Sequence, residues 1–468
     1  VGAPTICFAQ LENALRVNDY LGDDLGFKRN PKMAANADGA LCIVWEDDRN
    51  GKYQLFAQLI GANRQTIGDN IILSVDSESQ DEQYDVVANA NGQFIIAWSD
   101  GPRFRTVIKY TILDPDGSVV FPATTIQTSE DDNEASFPAV GALNNGDFLI
   151  AYMGDFPDRL HIAELQRIGA SGGVMGDPIP IDTIDFLDDL FNFSIAVAPN
   201  GNTMVAYQRE LSFRSFNLGV ALYDPDFNLL RRDLAANVVE GEAANPTAVP
   251  LNDGDFALFW LDFREESNGE VYVREIANSG NIFRTPRNLG GLLGGTTSRD
   301  RYPRVAKLGS GFAITNFTFL DNFQIVNSNY SLGQATAVRG FRPFPVVVND
   351  EVITTYTRAL TGISAATQDK RITLDYGAGN DLRFVNDDTF SASEGVAESA
   401  FRDDGSGMWC SGLALTMKNR PCTVARLART VIQLAMLSKF LREFPRAIRS
   451  LLGPTVAGHC IFRRTETL

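Results

Sequence analysis

Short apolar runs that end in a large aromatic recur along the chain. They read Leu41-Cys42-Ile43-Val44-Trp45, Phe94-Ile95-Ile96-Ala97-Trp98, Phe148-Leu149-Ile150-Ala151-Tyr152, Thr203-Met204-Val205-Ala206-Tyr207 and Phe256-Ala257-Leu258-Phe259-Trp260. Weaker copies are Phe312-Ala313-Ile314-Thr315-Asn316 and Val352-Ile353-Thr354-Thr355-Tyr356. The run ends at 45, 98, 152, 207, 260, 316 and 356 lie 53, 54, 55, 53, 56 and 40 residues apart, and a further step of 53 reaches Trp409. Upstream of each of the first five runs is a turn rich in Asn, Asp and Gly, such as Asn36-Ala37-Asp38-Gly39, Asn89-Ala90-Asn91-Gly92 and Asn252-Asp253-Gly254-Asp255. These residues supply the positive φ angles of tight hairpins.

A short apolar strand precedes each turn, as in Asp85-Val86-Val87-Ala88. A third strand follows the aromatic, as in Tyr53-Gln54-Leu55-Phe56-Ala57-Gln58, and a fourth follows a second turn, Asp114-Pro115-Asp116-Gly117 in one unit. Four short strands per long repeat mark a propeller blade, whose two faces are buried only when blades pack radially. The expectation is therefore an all-β fold, a β-propeller of four-stranded blades. Seven blades are expected, as complete units over about 13–385, with eight as the alternative if residues 385–409 open another. The repeated aromatics Trp45, Trp98, Tyr152, Tyr207, Trp260, Tyr356 and Trp409 are expected to fill the space between blades.

Charge divides the chain at Trp409. Residues 1–409 carry 31 Lys and Arg against 56 Asp and Glu, whereas 410–468 carry 10 against 2. The overall net charge of −17 argues against nucleic-acid binding, which needs surplus cations to meet phosphates. No stretch approaches the roughly 18 apolar residues of a membrane helix. The domains are then an N-terminal segment 1–12, a propeller 13–409 and a basic tail 410–468. The first reads either as the end of a secretory signal cut near Ala9 or as an ordinary strand. The tail holds Cys410, Cys422 and Cys460, three of the five cysteines. It has a helical pattern over 423–444 and three readings: a basic amphipathic helix, a capping helix, or an out-of-frame sequence that begins where the repeat register stops.

The first unit contains Arg16-Val17-Asn18-Asp19, Pro31-Lys32-Met33-Ala34, Asp38-Gly39, Val44-Trp45-Glu46-Asp47-Asp48-Arg49-Asn50-Gly51 and Gln58. It resembles a repeat of bacterial secreted and surface proteins, with the pattern VND, PxVA, GxFVVxWEDxRNG, YAQ and DxxG. The resemblance covers about 1–409 and fades in later units. It implies an extracellular propeller, secreted or at the cell surface, used for adhesion or binding, with no established enzymatic activity.

Candidate chemistry is concentrated in carboxylates. The segments leading into each blade are acidic: Asp19, Asp23 and Asp24; Asp76, Glu78, Asp81 and Glu82; Glu130, Asp131, Asp132 and Glu134; Asp182, Asp185, Asp188 and Asp189; Glu240 and Glu242; Asp387 and Asp388. Read as loops, they all emerge on one face. Asp76, Asp81, Asp131 and Asp132 lie in the densest segments and are the candidate Ca2+ ligands, since Ca2+ takes hard oxygen donors. The alternative is a solvated acidic face. After the aromatic, acids and arginines recur: Asp47, Asp48 and Arg49; Asp100 and Arg103; Asp155, Asp158 and Arg159; Asp262 and Arg264. A carboxylate just past a strand caps a turn and pairs with a neighbouring arginine.

The leading functional expectation is a non-catalytic binding, adhesion or structural module. Its partner would be a protein or glycan on the acidic loop face, self-assembly is also open, and Ca2+ is the only cofactor considered. The alternative is a carbohydrate-active propeller, a lectin or a sialidase-like glycoside hydrolase. Such a hydrolase needs an arginine cluster and a Tyr/Glu pair with a further acid. The sequence lacks the S-x-D-x-G-x-x-W box of sialidases. His161 lies in a strand pattern and Cys42 in an apolar run, which makes both packing residues.

Overall fold

The structure is a computed structural model that describes residues 14–16, 28–74, 79–101, 106–126, 135–156, 160–185, 190–212, 215–233, 243–263, 270–279, 285–289, 303–316, 322–337, 341–359, 370–376, 400–401 and 407–408. The regular elements among these residues are all strands, arranged as seven four-stranded antiparallel sheets and one two-stranded hairpin. Six sheets are blades of four consecutive strands, spanning 28–72, 79–125, 135–185, 190–233, 243–288 and 304–337. The remaining four-stranded sheet is composite. Phe341–Val348, Glu351–Ala359 and Lys370–Tyr376 give three strands, and Ala14–Arg16 gives the outer one, with Leu15 opposite Leu374. This corrects the expectation of seven complete blades, or eight: six blades are complete in sequence. Among the described residues, the outer strand of the last unit comes from Ala14–Arg16, far upstream in the sequence.

Ala400–Phe401 pairs with Gly407–Met408 where an eighth unit was considered. Trp409, the segment 1–12 and the helical pattern over 423–444 lie outside the described residues. The chain divides into two compact units, one of residues 1–359 and 369–387, the other of residues 360–368 and 388–468. In the first unit the inner strands of successive sheets touch in order, and that of the first blade also touches that of the composite sheet. The ring is closed. The fold is a β-propeller.

Hydrophobic contacts explain the sequence pattern. Second strands such as Leu41–Asp47, Phe94–Asp100 and Phe256–Asp262 are buried at every position, because both faces of a blade are covered. Alternate residues face opposite neighbours. Leu41, Ile43 and Trp45 pack with Ile353, Phe344 and Val346 of the composite sheet, whereas Cys42 and Val44 pack with Trp98 of the second blade. Tyr152 packs on Ile95 and Ala97, Tyr207 on Leu149 and Ala151, and Trp260 on Met204 and Leu218, each on the preceding blade. Tyr356 is also buried. Outer strands are wet instead, and Val119 is 57% exposed.

Polar residues join blades at the hairpin-turn end. Asn36 Oδ1 accepts from the Ala40 amide within its own turn (2.8 Å), and its Nδ2 donates to Gly92 O of the next blade (3.2 Å). Asn89 repeats both contacts with Gln93 N (2.9 Å) and Gly146 O (2.6 Å). Asn144 donates to Ala198 O (3.1 Å). The turns hold Gly39, Gly92 and Gly146 at φ of 87°, 84° and 92°, which other residues adopt only with strain.

Candidate functional site

Opposite those turns the inner strands begin and the second strands end. In the first blade, Asp47 organises the loop after the second strand from a fully buried position. Its Oδ2 accepts from Trp45 Nε1 (3.1 Å), Arg49 Nε (2.9 Å) and Arg49 Nη2 (2.6 Å), and its Oδ1 accepts from the Arg49 amide (3.0 Å). Lys28 Nζ lies 3.9 Å from Oδ1. Glu46, also fully buried, accepts from Arg29 Nε (2.8 Å) and Asn30 Nδ2 (2.7 Å) on the inner strand. These bonds return the desolvation cost of two buried carboxylates and fix the loop.

Other blades vary this theme. Trp260 Nε1 donates to Asp262 Oδ2 at 3.0 Å. In the second blade Asp100 is ion-paired with Lys109, and the indole N–H of Trp98 has no hydrogen-bond partner among the described residues. In the fourth, Tyr207 donates to Asp182 Oδ2 (3.1 Å), with Arg209 Nε at 3.3 Å. Burial first, then the Asp182 charge, pushes the Tyr207 phenol well up. The expectation that Asp182 sits in a solvated loop is thus corrected. It is buried on the outer strand Val174–Asp185, which also contains Asp185, and Asp81 and Glu82 likewise belong to the inner strand Ser79–Ala88. Asp182 pairs with Ala163 in its blade ladder, whereas Asp81 and Glu82 fall in the irregular stretch between the pairs Ser79–Asp100 and Tyr84–Trp98.

Asp76, Asp131, Asp132, Arg103, Asp158, Arg159, Arg264 and the acids at 19–24, 130–134, 188–189, 240–242 and 387–388 lie outside the described residues. No group of three or more His, Cys, Asp or Glu suited to a metal is present among the described residues. Cys42 is buried within a core cluster, and burial raises its thiol pKa. His161 is buried opposite Asp155 on a third strand.

A feature missed from sequence lies at the axis. Inner strands carry a β-bulge, with register shifts at Arg29/Lys32, Ser136/Ala139, Phe191/Ser194, Ala244/Thr247 and Phe341/Phe344. Asn30, Phe137, Asn192 and Asn245 adopt positive φ there (54–57°), a geometry Asn tolerates and Phe does not readily adopt. At the level of the first residue past these bulges, one residue per sheet stands opposite the residue before the aromatic position, in the unbulged sixth blade too. These seven are Lys32, Asp85, Ala139, Ser194, Thr247, Arg304 and Phe344. All but Ala139 are half-buried.

Adjacent members of this ring are linked. Lys32 Nζ lies 4.0 Å from Asp85 Oδ1 and bonds the Tyr84 carbonyl, while Tyr84 Oη bonds the Asn30 carbonyl. Asp85 Oδ2 accepts from the Val140 amide (3.0 Å), and Ser194 Oγ from the Ala248 amide (3.0 Å). Thr247 Oγ1 donates to Pro303 O (2.6 Å), and Arg304 Nη1 to Pro31 O (3.1 Å), with its guanidinium 4.9 Å from the Phe344 ring centroid. Burial lowers the Lys32 pKa; Asp85 and Glu46 oppose this and Arg304 adds to it. Burial, and then the Glu46 charge, raises that of Tyr84. A sequence signal exists: these residues stand 13 positions before the aromatic in the first five units and 12 before Asn316 and Tyr356.

No family model matches this chain, and no curated protein matches it. Solved structures are similar in part. A protein of unknown function from Dyadobacter fermentans is 11% identical with a TM-score of 0.46, over 78% of this chain and 98% of that one. An α-L-arabinanase of Penicillium chrysogenum is 13% identical with a TM-score of 0.40, over 78% and 98%. An α-L-arabinofuranosidase of Fusarium graminearum is 10% identical with a TM-score of 0.42, over 78% and 97%. Likeness at this level carries no activity across to this chain.

Proposed function

We propose that this propeller is a secreted or cell-surface binding module without catalysis of its own, meeting a protein or glycan through its loop-bearing face. The observation that supports the reading is the use made of the face's described carboxylates. Glu46, Asp47, Asp100, Asp182 and Asp262 are all buried and bonded to neighbouring Arg, Lys, Asn, Trp or Tyr side chains. They stiffen the loops rather than stand ready to move protons. Ca2+ on Asp76, Asp81, Asp131 and Asp132 is part of the proposal, as is a surface too acidic for nucleic acid.

A carbohydrate-active propeller is the second reading, favoured by the gathering of Arg29, Arg304, Glu46 and Tyr84 around the inner strands of adjoining blades. Those are the residue types a sialidase-like hydrolase requires. A glycan array run beside a glycoside-hydrolysis screen, each with Ca2+ and with sodium at matched ionic strength, separates the two. Binding without turnover supports the module. Turnover abolished by Tyr84→Phe or Glu46→Gln overturns it in favour of the enzyme.

A further inference from the structure

We propose that Asn50, in the loop after the second strand of the first blade, is a deamidation site, where the side-chain amide is lost as ammonia and the residue becomes Asp or isoaspartate. This chemistry belongs to the chain itself and is independent of what the loop-bearing face meets.

Five Asn-Gly pairs occur in the chain: Asn50-Gly51, Asn91-Gly92, Asn145-Gly146, Asn200-Gly201 and Asn268-Gly269, the last outside the described residues. A following glycine has no Cβ to shield its peptide nitrogen, which can therefore close on the Asn side chain. In that step the glycine nitrogen loses its proton to hydroxide and bonds to Asn Cγ. The Cγ–Nδ2 bond breaks, and Nδ2 leaves as ammonia with a proton taken from water. Water then opens the five-membered imide at one of its two carbonyls. The product is Asp or isoaspartate, with one added negative charge at neutral pH.

The four described pairs share part of the cost of reaching that geometry. Each glycine amide donates to a carbonyl three residues back: Gly51 to Asp48 O (2.8 Å), Gly92 to Asn89 O (3.1 Å), Gly146 to Leu143 O (3.0 Å) and Gly201 to Ala198 O (2.9 Å). All four asparagines are exposed. What differs is the hold of neighbouring blades. Gly92 O accepts from Asn36 Nδ2 and Gly146 O from Asn89 Nδ2, while Asn144 Nδ2 donates to Ala198 O and Pro199 O, just before Asn200. Side chains also close over these glycines: a Cβ on Gly92, Gly146 or Gly201 would lie 3.2, 2.5 or 3.1 Å from Asn36, Asn91 or Pro225. A Cβ on Gly51 would meet nothing within 4 Å, and Gly51 is exposed. Its backbone can rotate without parting two blades. Asn50 Nδ2 donates to Gln54 Oε1 (2.8 Å), whereas Gln54 Nε2 is committed to Ser74 O (2.7 Å). A carboxylate at position 50 has no proton to give, and Gln54 cannot turn to offer one without losing Ser74. Conversion therefore detaches the loop from the head of the third strand.

Incubation of the full chain at mildly alkaline pH, beside a sample unfolded in urea, followed by peptide mapping in a mass spectrometer, tests the assignment. Each conversion exchanges NH2 for OH and is read as that gain in mass. Rates in urea, where blades no longer pack, give the intrinsic reactivity of each pair. Relative to these, Asn50 in the folded chain should convert at least about tenfold faster than Asn91, Asn145 or Asn200, the factor that one intact hydrogen bond to a neighbouring blade supplies. Asn36→Ala, which frees Gly92 O, should speed conversion of Asn91 by a similar factor and leave Asn145 and Asn200 unchanged. The proposal is overturned if any of the three converts as fast as Asn50 in the folded chain, or if Asn50 stays intact there while the urea sample converts. It is overturned equally if Asn36→Ala folds and leaves Asn91 as slow as in the parent. If that variant does not fold, the ranking in the parent chain still decides, because it needs no substitution.

Discussion

The repeated tryptophans provide a matched pair of perturbations. Trp45 and Trp98 occupy the same strand position in neighbouring blades, with 0% and 1% exposure. Their hydrogen bonding differs: the Trp45 indole N–H reaches Asp47, and that of Trp98 reaches no partner among the described residues. Replacing either by Phe removes the same atoms and leaves a similar void, costing roughly 1–2 kcal/mol. Trp45→Phe also loses a bond to a charged acceptor, worth about 1.5 kcal/mol at the lower end of its range. That end applies because Asp47 keeps its three contacts from Arg49 and is not orphaned. Trp98→Phe instead removes a buried donor that has no partner among the described residues, recovering about 1 kcal/mol. Trp45→Phe should therefore be less stable than Trp98→Phe by about 2–3 kcal/mol, and Trp260→Phe should follow Trp45→Phe. Urea unfolding followed by far-ultraviolet circular dichroism, which does not depend on the tryptophan removed, gives the difference from midpoints at common slope. Equal losses within about 0.5 kcal/mol, or a larger loss for Trp98→Phe, would refute the reasoning.

Three further outcomes are expected. Leu15→Pro, which disrupts the pairing of Ala14–Arg16 with Lys370–Tyr376, should raise protease sensitivity in the composite sheet before the six contiguous blades; uniform sensitivity across all blades would contradict this. Asn89→Ala loses both a turn cap and a bond to the next blade, so it should cost about 1–2 kcal/mol in urea unfolding, against a few tenths for the exposed Asn145→Ala. Burial, only partly opposed by Arg232, pushes the Tyr223 phenol up to about 12, and burial raises those of Tyr84, Tyr152 and Tyr207 as well. The unfolded chain then gives up these protons first, near pH 10, so stability is intact below that pH and falls as pH rises toward the folded values. Absorbance at 295 nm should show their ionisation arriving together with loss of structure, and an independent, reversible titration near pH 10 would oppose this account.

The sequence was most legible where burial is two-sided. Leu41–Asp47 reads as an unbroken apolar run because alternate residues meet different blades, and its spacing gave the repeat. Function was less legible because charge in a sequence does not say where a carboxylate points. Asp182 sits in a stretch as acidic as any solvated loop, yet Tyr207 and Arg209 bind it in the interior. Those partners are 25 and 27 residues away, on the next blade. The bulges were hidden as well: nothing in the apolar pattern marks Asn30, Phe137 and Asn245, each just before a proline, as positions of positive φ. Asn316, which stands where six other units have Trp or Tyr, left the sixth copy faint although its strand Gly311–Asn316 is in place.

The composite sheet has a consequence for how the molecule is made. Leu15 cannot meet Leu374 until nearly the whole ring has been synthesised, an interval of roughly 20–70 s at 5–20 residues per second. During that time each contiguous blade can pair its own strands, while the first-made strand waits as a loose end and its eventual berth does not yet exist. Once Lys370–Tyr376 emerges, its open edge accepts any strand of the right pattern, including the waiting strand of another nascent copy on the same message. Crowded synthesis should therefore yield exchanged dimers, each ring fastened by the other's leading strand, and dilution during refolding should yield monomers.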